Sequence, residues 1–303
     1  MRPRFALGSW AFSFGPFAAA PWSFDAFCDY ARDAGYDGVE INGFRPHPHP
    51  DDYASATARR ELARRIAGRG LGISGYAPDF TATPPAECQT ADYLDSLARC
   101  LDFCGDLNIR VLRVDTVSPP AALAPADYER RFAALCRTWQ AAAERCSAAD
   151  VTLVWEFEPG FWLNKPSEIL RLLRRVAHPS FQVLFDSSHA HLCAGVGARQ
   201  SGKHEVLAGG ALELARLLLG RIGHLHLIDS DGTLHNGETS THAPFGSGQL
   251  DFPALLQALR PDLERLEWWC FDFCFCPSTE HDARLAIPFM RQVLAGLDAG
   301  GTS

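Results

Sequence analysis

The chain has 303 residues, 47% of them hydrophobic, and a formal net charge of −8. That is ample apolar content for a buried core, and an acidic surface repels phosphate backbones, so no nucleic-acid partner is expected. The two lysines, Lys165 and Lys203, and the scattered arginines form no basic patch, and no apolar run is long enough to span a membrane.

The segment from Met1 to Leu7 is strand-like and lacks the apolar stretch and cleavage site of a secretory leader. Many of the ten cysteines, Cys28, Cys100, Cys104 and Cys136 among them, lie in apolar settings. Both features predict a cytoplasmic protein with reduced, buried thiols.

Strand-like runs then alternate with amphipathic stretches. The predicted strands are Arg4–Trp10, Gly38–Asn42, Gly72–Tyr76, Ile109–Asp115, Thr152–Glu158, Gln182–Asp186, His224–Asp229 and Leu266–Asp272. Helices are predicted between them over Ser23–Ala34, Asp51–Gly68, Ala91–Gly105, Asp127–Ala148, Pro166–Val176, Gly209–Leu219 and Phe252–Leu259, with a last one over Glu280–Leu297. Eight strand–helix units of this length favour a closed α/β barrel, a single (β/α)8 TIM barrel over residues 1–303. A loose tail is expected near 299–303.

Barrel active sites lie at the carboxyl ends of the strands. In strand five, alternation puts Glu156 and Glu158 on one face, and a cation is the natural partner for two buried carboxylates. Strand six delivers Asp186, with His189 one turn on. Strand seven carries His224 and His226 on one face, and strand eight ends in Asp272. Glu, Asp, His and Asp thus arrive at the same end of four consecutive strands. Mixed oxygen and nitrogen donors suit one divalent ion, Mn²⁺ first, with Mg²⁺, Co²⁺ or Zn²⁺ as alternatives.

The pieces Ala34-Gly35-Tyr36-Asp37-Gly38-Val39-Glu40-Ile41, Asp186-Ser187-Ser188-His189, Gly223-His224-Leu225-His226 and Gly246-Ser247-Gly248-Gln249-Leu250-Asp251-Phe252 occur in an order that resembles the xylose isomerase-like barrel superfamily. The resemblance implies metal ligands at Glu156, Asp186, His224 and the acid of strand eight, and substrate contacts from His189 and His226. Epimerases of this group commonly carry Glu on strand eight, where this chain offers Asp272, one methylene shorter. It also implies a homodimer or homotetramer.

Other polar and aromatic residues stand near the strand ends. Glu40 ends strand two and has a substrate, supporting or structural role open to it. Arg113 in strand four is a candidate for an internal ion pair or a substrate contact. Lys203, His242 and Trp10 are further candidates for substrate contact, and His47 and His49 are expected to be exposed loop histidines.

The chemistry expected is proton abstraction beside the carbonyl of a sugar or keto-polyol, through an enediolate, with Glu156 as the leading base and Glu158 as the alternate. Asp272 is expected to share in catalysis as well as in metal binding. Isomerisation or epimerisation is the first reading; a dehydratase or lyase is the alternative. An endonuclease IV-type phosphodiesterase and a non-catalytic sugar-binding barrel are the weaker ones.

Overall fold

Polar caps and apolar spacing set the element boundaries. The Ser23 hydroxyl accepts from the Ala26 amide and starts helix Phe24–Asp33, and the Asp251 carboxylate does the same for helix Phe252–Leu263. Pro166 opens helix Pro166–Val176, where a missing N–H costs nothing. The computed structural model describes residues 3–300. The last helix runs over Thr279–Gly300, so of the tail expected near 299–303, residues 301–303 lie outside the described residues.

Eight strands pair in parallel and close on themselves. They are Arg4–Gly8, Gly38–Asn42, Gly72–Ala77, Val111–Val114, Thr152–Glu156, Phe181–Asp186, Ile222–Leu227 and Trp268–Phe271. The first strand pairs with the second and the eighth, Leu7 lying opposite both Val39 and Phe271. A two-residue hairpin, Leu234–His235 with Thr239–Ser240, projects from the loop after strand seven.

Outward-facing residues such as Leu7, Val39, Leu153, Phe185 and Trp269 pack under the helices in one large core. Inside the barrel a small cluster of Ala6, Trp10, Ala77, Trp268 and Cys270 remains. The Arg4 guanidinium, 3.8 Å from the Trp268 ring centroid, caps the amino-terminal end. Among the described residues, no helix is long and apolar enough to cross a membrane.

Strand seven differs from expectation in a way that matters below. It begins at Ile222 and stops at Leu227, about two residues earlier than expected at each end. The Asp229 carboxylate ends the regular ladder by accepting from the amides of Ser230, Gly246, Gly248 and Leu250. A Cβ on Gly248 would lie 2.3 Å from Asp229 Oδ1, so this loop closure requires glycine.

His47 also departs from expectation. It is buried, not exposed: Nε2 lies 3.1 Å from the Trp22 carbonyl and Nδ1 lies 3.0 Å from the Ser9 hydroxyl. Burial pulls its pKa down to about 4. The unfolded histidine titrates near about 6.5, so the neutral ring's contribution is complete above that pH and is lost as pH falls toward the folded value. We expect His47→Gln to flatten the acid side of the stability curve. The wild type should lose about 2 kcal/mol more than the variant between pH 7 and pH 4.5. Urea unfolding at both pH values checks this, and parallel losses in the two proteins would refute it.

Candidate active site

The interior of this barrel is charged. Strand two places Glu40 among the buried residues at its centre. Its Oε2 accepts from His224 Nε2 at 2.6 Å and its Oε1 from His226 Nε2 at 3.1 Å. Burial alone would raise this carboxyl, but the two imidazoles outweigh it and hold Glu40 well below the usual carboxylate range. Glu40 therefore fixes the orientation of both rings. His226 Nδ1 is turned toward the mouth and lies 2.9 Å from Glu156 Oε1 and 3.7 Å from Asp272 Oδ2. The Trp10 ring lies 5.1 Å from the His226 ring, measured between centroids.

Arg113 reaches Glu156 from strand four. Its Nε lies 2.6 Å from Glu156 Oε2, and its Nη1 lies 3.0 Å from Asp115. Both oxygens of Glu156 are thus engaged, one by Arg113 and one by His226. Burial pushes Glu156 up, but those two cations prevail and hold it far below its ordinary value. The same burial tends to discharge Arg113, and the Glu156 and Asp115 carboxylates keep it charged.

Glu158 sits two residues farther out, past the end of the strand. Its Oε2 accepts from the Thr239 hydroxyl, while Oε1 is 4.0 Å from the nearest Arg113 nitrogen. Burial and the neighbouring Glu156 charge push its carboxyl up to about 8. The two glutamates of one strand therefore stand in opposite electrostatic states, because a single guanidinium serves the inner one.

Asp186 ends strand six and caps the short helix Ser187–Ala190, its Oδ1 accepting from the His189 amide at 2.7 Å. Its other oxygen, Oδ2, is buried with no hydrogen-bond partner. Burial raises this carboxyl to about 7. His189 Nδ1 meets the Ser240 hydroxyl, and burial lowers its ring to about 3.

Asp272 lies just past strand eight. Its Oδ1 accepts from Trp10 Nε1 at 2.6 Å and from the Cys274 amide at 2.8 Å. His242 Nδ1 lies 3.2 Å from the same oxygen, an ion-pair contact, and its Nε2 is buried with no hydrogen-bond partner. Burial opposes protonation of His242, but the Asp272 carboxylate prevails and raises it to about 9.

Above these groups lies a cavity of about 390 Å³ lined by Trp10, Arg113, Glu156, Glu158, His189, His226, His242 and Asp272. Phe14, Phe44, Phe161 and Phe275 form its upper walls. One donor atom each from Glu156, Asp186, His226 and Asp272 falls within 4.8 Å of the others.

Of the residues expected here, two sit elsewhere. His224, expected among the metal ligands, lies deeper in the barrel, turned onto Glu40, and His226 takes its place in the four-residue cluster. The cause is the earlier end of strand seven, which leaves His226 at the rim. Lys203, expected near substrate, is exposed and lies outside the cavity. The Gln200 side chain ties the backbone of Cys193 and Glu205, and Glu205 holds Ser167, so this stretch folds back against the neighbouring helix.

Sequence reasoning missed Arg199, Thr239 and Phe275 as cavity residues. Arg199 and Phe275 have left-handed backbones, with φ of 53° and 62°, and so does Val117, another cavity residue, at 62°. Such strain in non-glycine residues is common at functional sites, but their surrounding sequence carries no signal for it.

The match to the family model of the xylose isomerase-like TIM barrel runs over residues 28–290. The chain belongs to that family. The 2-oxo-tetronate isomerase of Cupriavidus necator is 26% identical over 254 residues, covering 77% of this chain and 82% of that protein. A D-psicose 3-epimerase, crystallised in the presence of D-fructose, superposes with a TM-score of 0.71 at 16% identity, over 96% of this chain and 99% of that one. The probable 3-DHS dehydratase of petrobactin synthesis from Bacillus anthracis gives a TM-score of 0.68 at 14% identity, over 95% and 98% of the two chains. Those two superpositions speak for the fold. By family and by that 26% identical relative, the chain is like sugar isomerases.

Proposed function

We propose that this protein is a divalent-metal-dependent isomerase or epimerase that removes a proton beside the carbonyl of a sugar or keto-polyol. The observation that carries this reading is the convergence of Glu156, His226 and Asp272, which line the cavity, with Asp186 buried behind them, its Oδ2 unpartnered. A buried carboxylate oxygen without a donor is costly, and a cation at that position satisfies it. Three carboxylates and an imidazole form a hard, mixed donor set that fits Mn²⁺, with Mg²⁺, Co²⁺ and Zn²⁺ close behind. When bound there, the ion supplies Lewis acidity to the substrate carbonyl, making the neighbouring C–H more acidic.

The chain's own residues do the rest. Glu156 would keep Oε2 on Arg113 and offer Oε1 as a ligand, the ion taking the place of the contact between Oε1 and His226 Nδ1. Glu158 faces the cavity with Oε1 beyond close contact with Arg113, so it takes the proton from carbon as a carboxylate and returns it. Return to the adjacent carbon gives isomerisation; return to the opposite face of the same carbon requires a second acid. His189 and His242 hold substrate oxygens, and Trp10 backs the sugar face while fixing Asp272.

Asp272 is a weak candidate for that second acid. Its Oδ1 already accepts from Trp10 and Cys274, which leaves Oδ2 for the cation. This favours one-base chemistry, isomerisation first and β-elimination as the second reading. The experiment is proton NMR in deuterated water with 2-oxo-tetronate and a set of ketohexoses. Deuterium should enter beside the carbonyl, stop on chelation and resume with Mn²⁺. Exchange at an unchanged rate in the fully chelated protein would overturn the proposal.

A further inference from the structure

We propose that Arg199 is a specificity residue of the cavity and that the substrate carries an anionic end group, a carboxylate or a phosphate. This rests on the reading of the cavity as the site of a keto-sugar reaction, and narrows its substrate. Two guanidiniums line the cavity, and they stand in different states. Arg113 is committed inside the protein, to Glu156 and Asp115. Arg199 makes no ion pair among the described residues, and its side-chain hydrogen bond runs from Nη1 to the Glu238 carbonyl at 3.0 Å. The Glu238 side chain itself is exposed at the hairpin tip.

That contact leaves Nε and Nη2 without a partner among the described residues. The two nitrogens form one edge of the guanidinium, a pair of parallel donors spaced to meet two oxygens of a carboxylate or phosphate. The same edge is used elsewhere in this chain, where Arg45 gives Nε and Nη2 to the two oxygens of Asp52 at 2.8 and 2.9 Å. The segment also holds Arg199 in place. Its backbone is left-handed, with φ of 53°, a conformation that a non-glycine residue keeps only when its surroundings fix it. On one side Asn164 Nδ2 donates to the Ala198 carbonyl at 3.4 Å. On the other, the buried Gln200 amide donates to the Cys193 and Glu205 carbonyls at 2.9 and 2.8 Å. The Nη1 contact then ties the loop after strand six to the hairpin after strand seven. Arg199 thus supplies at the cavity the positive charge expected of Lys203.

The surroundings favour an anion at this end and not at the other. Arg199 is half-buried, and Phe14, Phe44, Phe161 and Phe275 form the walls of the same cavity. Such walls screen charge poorly, so an anion held between them gains more from the guanidinium than it would in water. The floor carries Glu156, Glu158 and Asp272, which suit a cation and a carbonyl and repel a second negative charge. A volume of about 390 Å³ takes one small molecule. The substrate is thereby oriented, its carbonyl toward the floor and its charged end on Arg199.

The test uses the full chain with Mn²⁺ and three four-carbon polyols that differ at one end: erythronate, erythritol 4-phosphate and erythritol. None has a keto group, so calorimetry reads binding whether or not the protein turns them over. One or both anions should bind about 10- to 100-fold more tightly than erythritol, the worth of hydrogen bonds to a charged group. The tighter of the two names the end group. Arg199→Gln should remove that preference and leave erythritol as it was. Arg199→Lys keeps the charge without the two-donor edge and should keep only part of it. In deuterium exchange with 2-oxo-tetronate, or with fructose 6-phosphate if the phosphate binds better, Arg199→Gln should raise KM by the same factor at nearly unchanged kcat. Equal affinity for all three polyols in the wild type overturns the proposal. So does a preference that survives in both variants, which would belong to the ion. A fall in kcat at unchanged KM would place Arg199 at the reacting atoms and overturn the assignment as well. An anion preference lost in Arg199→Gln, in a protein that exchanges no deuterium, would sink the proposed reaction and leave the anion site standing.

Discussion

Asp186→Asn is expected to lose its tightly bound divalent ion and to lower turnover by about a thousandfold or more, because Lewis-acid stabilisation is worth several kcal/mol. The substitution is nearly isosteric. It keeps an oxygen for the His189 amide but exchanges the unpartnered Oδ2 for an NH₂ group, which cannot ligate a cation. His226→Gln should behave similarly, since it removes the nitrogen that Glu40 turns toward the cluster. His224→Gln is the informative contrast. It disturbs the partner of Glu40 and not a donor, so the ion should remain with affinity weakened by about 10- to 100-fold, the usual cost of a supporting residue. Metal titration of the three variants beside the wild type checks the ranking. Full loss in His224→Gln with retention in His226→Gln would restore His224 to the ligand set and refute the placement argued here.

The contrast between those two histidines shows how far the sequence could be read. Strand–helix alternation was enough to place eight strands and the barrel they close, since period and length both depend on local pattern. It also placed Glu156, Asp186 and Asp272, because each ends an apolar run and so emerges at the rim. The choice between His224 and His226 needed the end of strand seven to within two residues. That end is set by Asp229 gathering the amides of Gly246, Gly248 and Leu250, contacts some twenty residues apart. Lys203 was out of reach for a similar reason: its direction depends on Gln200 and Glu205 tying the segment to a helix elsewhere in the chain. His47 read as a loop residue because its partners, Ser9 and Trp22, come from the first βα unit. Strand-end residues were legible, while loop residues whose direction is set by distant partners were not.

Glu158→Gln is expected to lower solvent deuterium exchange by about a thousandfold while leaving the tightly bound ion in place, the range for removal of a positioned general base. The argument rests on which oxygens are engaged. Glu156 gives one oxygen to Arg113 and offers the other to the ion, so proton uptake there would break an ion pair or a ligand contact. Glu158 has a single close donor, the Thr239 hydroxyl, on the oxygen away from Arg113, and it lines the cavity. Glutamine keeps the shape and the contact to Thr239 but cannot accept a proton at working pH. Glu156→Gln should instead weaken ion binding, and its exchange should recover in part at high Mn²⁺, because a ligand has been lost and not the base. Thr239→Val supplies a third reading. Without its donor hydroxyl the Glu158 carboxylate is less stabilised, so the basic form should appear at higher pH and the rising limb of the exchange profile should move upward. If Glu158→Gln exchanged at the wild-type rate while Glu156→Gln stayed inert at saturating Mn²⁺, the inner carboxylate would have to move the proton despite its clamp, and Arg113 would need to release it during the reaction.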